Sequence, residues 1–202
     1  MAITLYHCKG ARSLRPLWTL VEMGLDHELV VLPFPPRVHQ KEYLGTNRLG
    51  TVPYLIDAEV RMTESPAICH YLVERYGPTP LRVPPEDEEY PFYLNWLYFS
   101  DATLTFPQTL VLRYTRLEPE ERRVPQVVED YRRWFLGRLR AVEAAVETRQ
   151  FLCRGRFTIA DICIGYALHL ACSLGIDEFG PNTRRYWEGL QEIPSYQAVK
   201  ER

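Results

Sequence analysis

What this chain of 202 residues lacks narrows it before any motif is read. There is no charge excess: 24 Lys and Arg stand against 26 Asp and Glu, a formal net charge of −2. Composition therefore gives no basic footprint for a nucleic acid or an anionic membrane, and neither is expected as a partner. There is no C-x-x-C pair among Cys8, Cys69, Cys153, Cys163 and Cys172. Their odd number and scattered spacing fit neither a disulfide framework nor a zinc site, so no metal is expected and a reducing compartment is. No charged segment followed by an apolar run opens the chain, since Met1 leads directly into Ile3-Thr4-Leu5-Tyr6; no signal peptide is expected, and a cytoplasmic location is. The most apolar stretch, Ile159 to Ile176, approaches the length of a membrane span but carries Asp161 and His169. With a capping signal ahead of it, it reads as a buried core helix. Repeats and low-complexity tracts are absent as well. A hydrophobic fraction of 46% and a charged fraction of 25% sit at globular averages, and the length suits one large domain or two small ones.

What is present divides into two halves. Ile3 to Tyr6 reads as a strand, followed by a turn at Gly10 and by Leu14, Leu17, Trp18 and Val21 at helical spacing, closed by Gly24. His27 to Leu32 reads as a second strand. Pro33-Phe34-Pro35-Pro36 then forces an extended break before a short helical stretch around Gln40 to Leu44. Val52 to Ile56 and Val60 to Met62 form a hairpin across Asp57-Ala58-Glu59, and a helix follows from Ser65 to about Tyr76. The order βαβαββα predicts a small sheet covered by helices over residues 1–77. The proline-punctuated, acidic stretch 78–89 reads as a linker, and residues 90–202 read as all-α, with helices over Tyr93 to Leu104, Tyr131 to Val146 and Ile159 to Leu174.

Three local features carry chemistry. In Thr51-Val52-Pro53-Tyr54-Leu55 a proline opens a strand after the Gly50 turn; it suits a strand start, and a cis Val52-Pro53 bond turns the Val52 backbone outward. In Thr63-Glu64-Ser65-Pro66-Ala67-Ile68, Ser65 is a favoured helix cap and Pro66 a favoured first helical residue. An anionic carboxylate can dock on Ser65 at the positive helix end while Glu64 holds an ammonium. In Gly10-Ala11-Arg12-Ser13-Leu14, Ser13 is expected at the start of the first helix with its hydroxyl and N–H turned to an anion, and Arg12 adds positive charge. Each also reads as an ordinary cap or strand edge, and their specificity lies in the combination.

These segments, with Leu5-Tyr6 and Leu14-Arg15-Pro16, resemble the three glutathione-site segments of the cytosolic glutathione transferases, in that family's order and spacing. Phe157-Thr158-Ile159-Ala160-Asp161 is similar to the family's capping box, a Thr-x-x-Asp cap whose role is folding. The resemblance implies an α/β plus all-α fold: a thioredoxin-like N-terminal domain that holds glutathione and an all-helical C-terminal domain that shapes the second-substrate pocket. It implies that the Val52 backbone pairs with the cysteine main chain of glutathione like an added strand, that Pro53 is cis, and that Glu64 and Ser65 take the amine and carboxylate of the γ-glutamyl end. Arg12 joins the glutathione site, and His39 or Lys41 meets the glycine carboxylate. The second-substrate pocket draws on Phe106, Leu110 and Tyr114, in a region that also holds Trp96, Phe99 and Thr103. A homodimer is implied too.

Such an enzyme must stabilise a thiolate. Lowering a thiol pKa by about two units needs roughly 2.7 kcal/mol. One charge-assisted hydrogen bond supplies about 1.5 to 3 kcal/mol and a helix terminus about 0.3 to 1, so a hydroxyl donor at the first helix suffices. Ser13 is the first choice, with Cys8 and Tyr6 as alternatives; Tyr6 is the likelier of these to be a strand core residue. Arg12 stands where the bacterial Gly-Ala-Cys-Ser-Leu pattern has its cysteine. The expected activity is conjugation of glutathione to a hydrophobic electrophile. Two other readings stay open: glutathione-dependent aryl-ether cleavage, which the Gly-Ala-x-Ser-Leu-x-Pro run resembles, and a non-catalytic glutathione-binding regulator of the same fold.

Overall fold

The computed structural model describes residues 3–153 and 155–202. The first two positions, with which the expected first domain opens, lie outside the described residues. The chain divides into two compact units, Met1–Arg82 together with Gln191–Arg202, and Val83–Leu190.

In the first unit, β1 (Ile3–His7), α1 (Leu14–Glu22) and β2 (His27–Val31) form a βαβ turn whose strands run parallel. A short α2 (Pro36–His39) and a 3₁₀ turn over Lys41–Gly45 lead to β3 (Tyr54–Asp57), β4 (Val60–Met62) and α3 (Ser65–Arg75). The strand order is β2-β1-β3-β4, with β3 antiparallel to both neighbours. The expected βαβαββα order is thus present. The helical stretch expected around Gln40 to Leu44 is a 3₁₀ turn preceded by α2, because Pro36 needs no N–H partner as the first residue of a helix.

Period two sets β1: Ile3, Leu5 and His7 are buried while Thr4 and Tyr6 are half-exposed. Leu5 therefore fills the core that the sequence reading gave to Tyr6. Helix α1 is buried continuously from Leu14 to Leu20 and ends in a Schellman motif, where Gly24 takes φ +64° and Leu25 N–H reaches Leu20 O at 2.9 Å.

Helix α9 (Pro194–Val199) packs on α1. Trp18 donates its indole N–H to Ser195 Oγ at 2.8 Å and packs against Tyr196 with the rings tilted and their centroids 4.9 Å apart. The expectation that 90–202 forms one domain is corrected at this point: residues 191–202 group with the first unit, since a fully buried indole needs both an apolar wall and an acceptor.

The second unit contains α4 (Tyr90–Tyr98), α5 (Phe106–Leu112), α6 (Pro125–Ala145), α7 (Ile159–Ser173) and most of α8 (Pro181–Gln191). The helix expected over Tyr93 to Leu104 runs on through π-helical turns at Phe99–Thr105 and Arg113–Leu117. Pro107 has no N–H for the Thr103 carbonyl and its ring crowds that group, which accounts for the first widening. Helices α8 and α9 had no counterpart in the sequence reading. Glu143 supports α8 by accepting from the N–H groups of Asn182 (3.0 Å) and Thr183 (2.8 Å) at its start.

The capping box opens α7 as read. Ala160 N–H donates to Thr158 Oγ1, and Thr158 N–H to Asp161 Oδ2 at 2.9 Å. The fully buried Asp161 also accepts from Leu152 N–H (2.9 Å), Tyr186 OH (2.9 Å) and Thr158 Oγ1 (3.0 Å). Burial pushes its carboxyl up to about 6, against the pull of these donors. Asp161→Ala strands several buried donors and is expected to lower stability by about 3 kcal/mol or more, measured by urea unfolding. A carboxyl raised above its unfolded value near 3.9 gives a contribution that is full at low pH and lost as pH rises through about 6. The gap between wild type and variant should therefore narrow between about pH 4 and pH 6, and a gap that widens contradicts the assignment.

Candidate active site

The site is built at one end of the sheet. The β1/β3 register pairs Tyr6 with Tyr54, and beyond the ladder Val52 packs against the cluster that holds Cys8. The β3/β4 register pairs Leu55 with Met62, the last residue of β4, and only Thr63 and Glu64 separate that strand from the start of α3 at Ser65. With β3 antiparallel to both neighbours, the end of β1, the start of β3 and the end of β4 lie at one end of the sheet, and the three segments singled out in the sequence adjoin those ends.

The middle segment is held from below. Val52-Pro53 is cis, and the Thr51 carbonyl accepts from Tyr43 OH and from Asn47 Nδ2, both at 2.9 Å. Gly50 turns the chain with φ +59°, and a Cβ there would lie 2.7 Å from Arg37 Cβ and 2.9 Å from a Leu44 methyl. Only glycine fits. Val52 is half-buried and stands outside the strand ladder, with no hydrogen bond to its N–H or C=O among the described residues. An extended peptide strand can pair there.

Ser65 was expected to cap α3. Instead it is the first helical residue, and Glu64 occupies the cap position in extended backbone (φ −85°, ψ 112°) with its carboxylate exposed. The Ser65 hydroxyl accepts from Arg15 Nη1 at 2.9 Å. Arg15 is fully buried on α1. It was quoted in the sequence motif but given no role; its signal was the polar pair Arg15 and Thr19 at i, i+4 within an otherwise apolar helix. Tyr43 and Asn47 were also missed, because their common acceptor is a backbone carbonyl.

The first segment departs furthest from expectation. Ser13 has no exposed surface, and its hydroxyl accepts from Cys8 N–H (3.2 Å) and donates to Cys8 O (3.4 Å). It stands at the N-cap position of α1, as read, but its hydroxyl makes no cap hydrogen bond and does not turn outward, because it closes the loop from Cys8 to Ser13. Cys8 is buried with Ala11, Leu32 and Tyr43, and Tyr6, Val52 and Tyr54 pack against that cluster. Its thiol points to Pro33 O at 3.6 Å, and burial pushes its pKa up to about 12. Tyr6 is half-buried, its ring 5.3 Å from Tyr43 and 6.0 Å from Tyr54. Arg12, beside Ser13, is half-buried.

His39 ends α2 and Lys41 starts the 3₁₀ turn, both exposed. In the second unit Phe106 is 52% exposed, and Leu110 and Tyr114 are half-buried, spaced by four residues along one helical run. Two clefts of about 400 and 520 Å³ in that unit, one lined in part by Arg149 and Phe151 and the other by Arg140 and Glu143, include no candidate residue. Among the described residues no three His, Cys, Asp or Glu side chains gather to hold a metal, and no helix is long and apolar enough to cross a membrane.

A four-stranded sheet that presents an unpaired residue before a cis proline next to a helix start, joined to a helical unit, defines a thioredoxin-like domain with a helical C-terminal domain. Comparison with known proteins gives the family. Residues 1–74 match the family described as glutathione S-transferase, N-terminal domain. Glutathione S-transferase 3 of Schizosaccharomyces pombe is 33% identical over 102 residues, taking in 50% of this chain and 42% of that one, less than half of that relative's length. Glutathione S-transferase hmp2 of Hypomyces subiculosus is 28% identical over 95% of this chain and 94% of its own. Among solved structures, glutathione transferase URE2P6 from Phanerochaete chrysosporium, in complex with oxidized glutathione, superimposes with a TM-score of 0.85 at 28% identity, covering 98% of this chain and 94% of that one. Residues 1–74 thus match a glutathione S-transferase N-terminal domain, and over nearly its whole length the chain is similar to glutathione S-transferases.

Four of the five free thiols are buried and Cys172 is exposed. A thiol reagent at mildly alkaline pH is expected to modify Cys172 rapidly in the native protein, and all five cysteines after unfolding. Rapid native modification that disappears in Cys8→Ala contradicts the burial of Cys8.

Proposed function

We propose that this protein binds glutathione at the sheet end and transfers its thiolate to a hydrophobic electrophile. The unpaired Val52 backbone beside Pro53 and the start of α3 carries this reading, and the URE2P6 relative, crystallised with oxidized glutathione, supports it. In this reading the cysteine main chain of glutathione pairs with Val52. The γ-glutamyl carboxylate meets Ser65 at the N-terminus of the eleven-residue α3, and its ammonium meets Glu64. His39 or Lys41 meets the glycine carboxylate.

The thiol loses its proton to solvent, and the sulfur electron pair forms the bond to carbon while the leaving group departs with its own pair. With the Ser13 hydroxyl engaged by Cys8 and the Cys8 thiol held protonated, the group we assign to the thiolate is Arg12, aided by the N-terminus of α1. Ser13 then shapes the loop. Phe106, Leu110 and Tyr114 are proposed to contact the second substrate. Release of a phenol from a β-aryl ether would place the leaving group as a phenolate. A cytoplasmic location and pairing of two chains belong to this proposal.

A second reading, a glutathione-binding protein without turnover, is favoured by the same burial of Ser13 and Cys8. Calorimetric titration with reduced glutathione tests the site. Saturable binding at millimolar affinity or tighter is expected, weakened about tenfold in Ser65→Ala by the loss of one hydrogen bond to a charged group. Absence of binding by folded protein removes both readings. Thiolate absorbance of the complex followed against pH separates them: a thiol pKa well below 8.5, raised in Arg12→Ala and unmoved in Cys8→Ala, supports transfer, and an unshifted thiol favours the non-catalytic protein.

A further inference from the structure

The carboxylate end of the proposed site has a layer behind it. Arg15 leaves the second position of α1 and is completely buried, yet its guanidinium donates to the one hydroxyl that stands at the first turn of α3. A guanidinium has no acceptor, so the Ser65 hydroxyl cannot give its proton back to Arg15. Having accepted from Arg15, it is left as a donor toward whatever lies on its other side. Ser65 keeps only 2% of its surface exposed, so its hydroxyl acts in a site largely shielded from water.

Three influences then add at one oxygen. The Arg15 charge lies one hydroxyl away, its donated hydrogen bond polarises the Ser65 O–H, and the positive end of α3 acts in the same direction. Water cannot screen the charge, because no part of the Arg15 side chain reaches solvent. We propose that Arg15 is a positioning residue for anion recognition: through Ser65 it selects the α-carboxylate of the γ-glutamyl residue without touching the peptide. The proposal rests on the glutathione reading above and deepens it, since it says which charge on the tripeptide the fold is built to sense.

A purely structural arginine would affect every ligand alike, and this distinction makes the test. Calorimetric Kd values are measured for glutathione and for the analogue whose γ-glutamyl α-carboxylate is replaced by hydrogen, with wild type, Arg15→Met and Ser65→Ala. Arg15→Met is expected to weaken glutathione about tenfold and the analogue less than about twofold, and to add little in the Ser65→Ala background, because the relay is already cut. Equal weakening of both peptides, or of neither, overturns the proposal. Should Arg15→Met fail to fold, Arg15→Lys decides by the same ratio: an ammonium on a flexible stem keeps the charge but not the planar donor fork, and a selective loss of about threefold for glutathione is expected. Wild-type protein that binds neither peptide is a separate outcome, seen before any variant is compared, and it overturns the glutathione reading together with this one.

Discussion

A guanidinium withdrawn from water costs several kcal/mol unless its hydrogen bonds are met, and the contact of Arg15 with Ser65 is where this fold meets part of that demand. The contact fixes α1 against the start of α3. Its neighbours on α1 make the constraint general, because every residue from Leu14 to Leu20 is buried. The leucines fill the space over the sheet, Arg15 turns to α3, and Trp18 turns to Ser195 and Tyr196. A helix used on all sides has no freedom to slide. The three segments at the sheet end therefore hold their spacing through α1 as well as through strand register.

What those segments present is mostly backbone and helix ends. Thr51 offers its carbonyl inward to Tyr43 and Asn47, leaving Val52 outward, and Ser13 spends its hydroxyl on the backbone of Cys8. A site of this kind depends on chain path more than on side-chain identity. A TM-score of 0.85 at 28% identity with the URE2P6 structure has the same sense: the chain path is kept while most side chains differ.

The same distinction explains what was legible in the sequence. Leu14, Leu17, Trp18 and Val21 announce α1 by spacing, the hairpin shows in Asp57-Ala58-Glu59, and Thr158 with Asp161 writes its cap within four residues. Pro53 and Glu64-Ser65 were legible as a motif because each marks an element boundary in a few residues, a proline ahead of a strand and a serine-proline pair at a helix start. The role of the Ser13 hydroxyl was not legible, because a serine before a helix looks alike whether it caps or bends back five residues. Nor was α8, whose start draws its acceptor from Glu143, thirty-nine residues earlier. The attachment of 191–202 to the first unit depends on one indole finding one hydroxyl at a separation of 177 residues. Local propensity carries no record of such pairings.

Cys8 shows how burial constrains reaction type. A thiol at this loop, within reach of a bound peptide thiol, would invite disulfide exchange if it ionised, since the attacking species is the thiolate. Here the thiol is packed among Ala11, Leu32 and Tyr43 and its pKa is pushed up to about 12, so its thiolate fraction at neutral pH is negligible. Lys9-Gly10-Ala11 supplies no second cysteine to resolve a mixed disulfide. The position that a neighbouring cysteine would occupy holds Arg12, a cation that favours a thiolate and cannot bond to it. The loop thus combines a protein sulfur kept protonated with a cationic residue four positions on, the two features on which the role proposed for Arg12 rests.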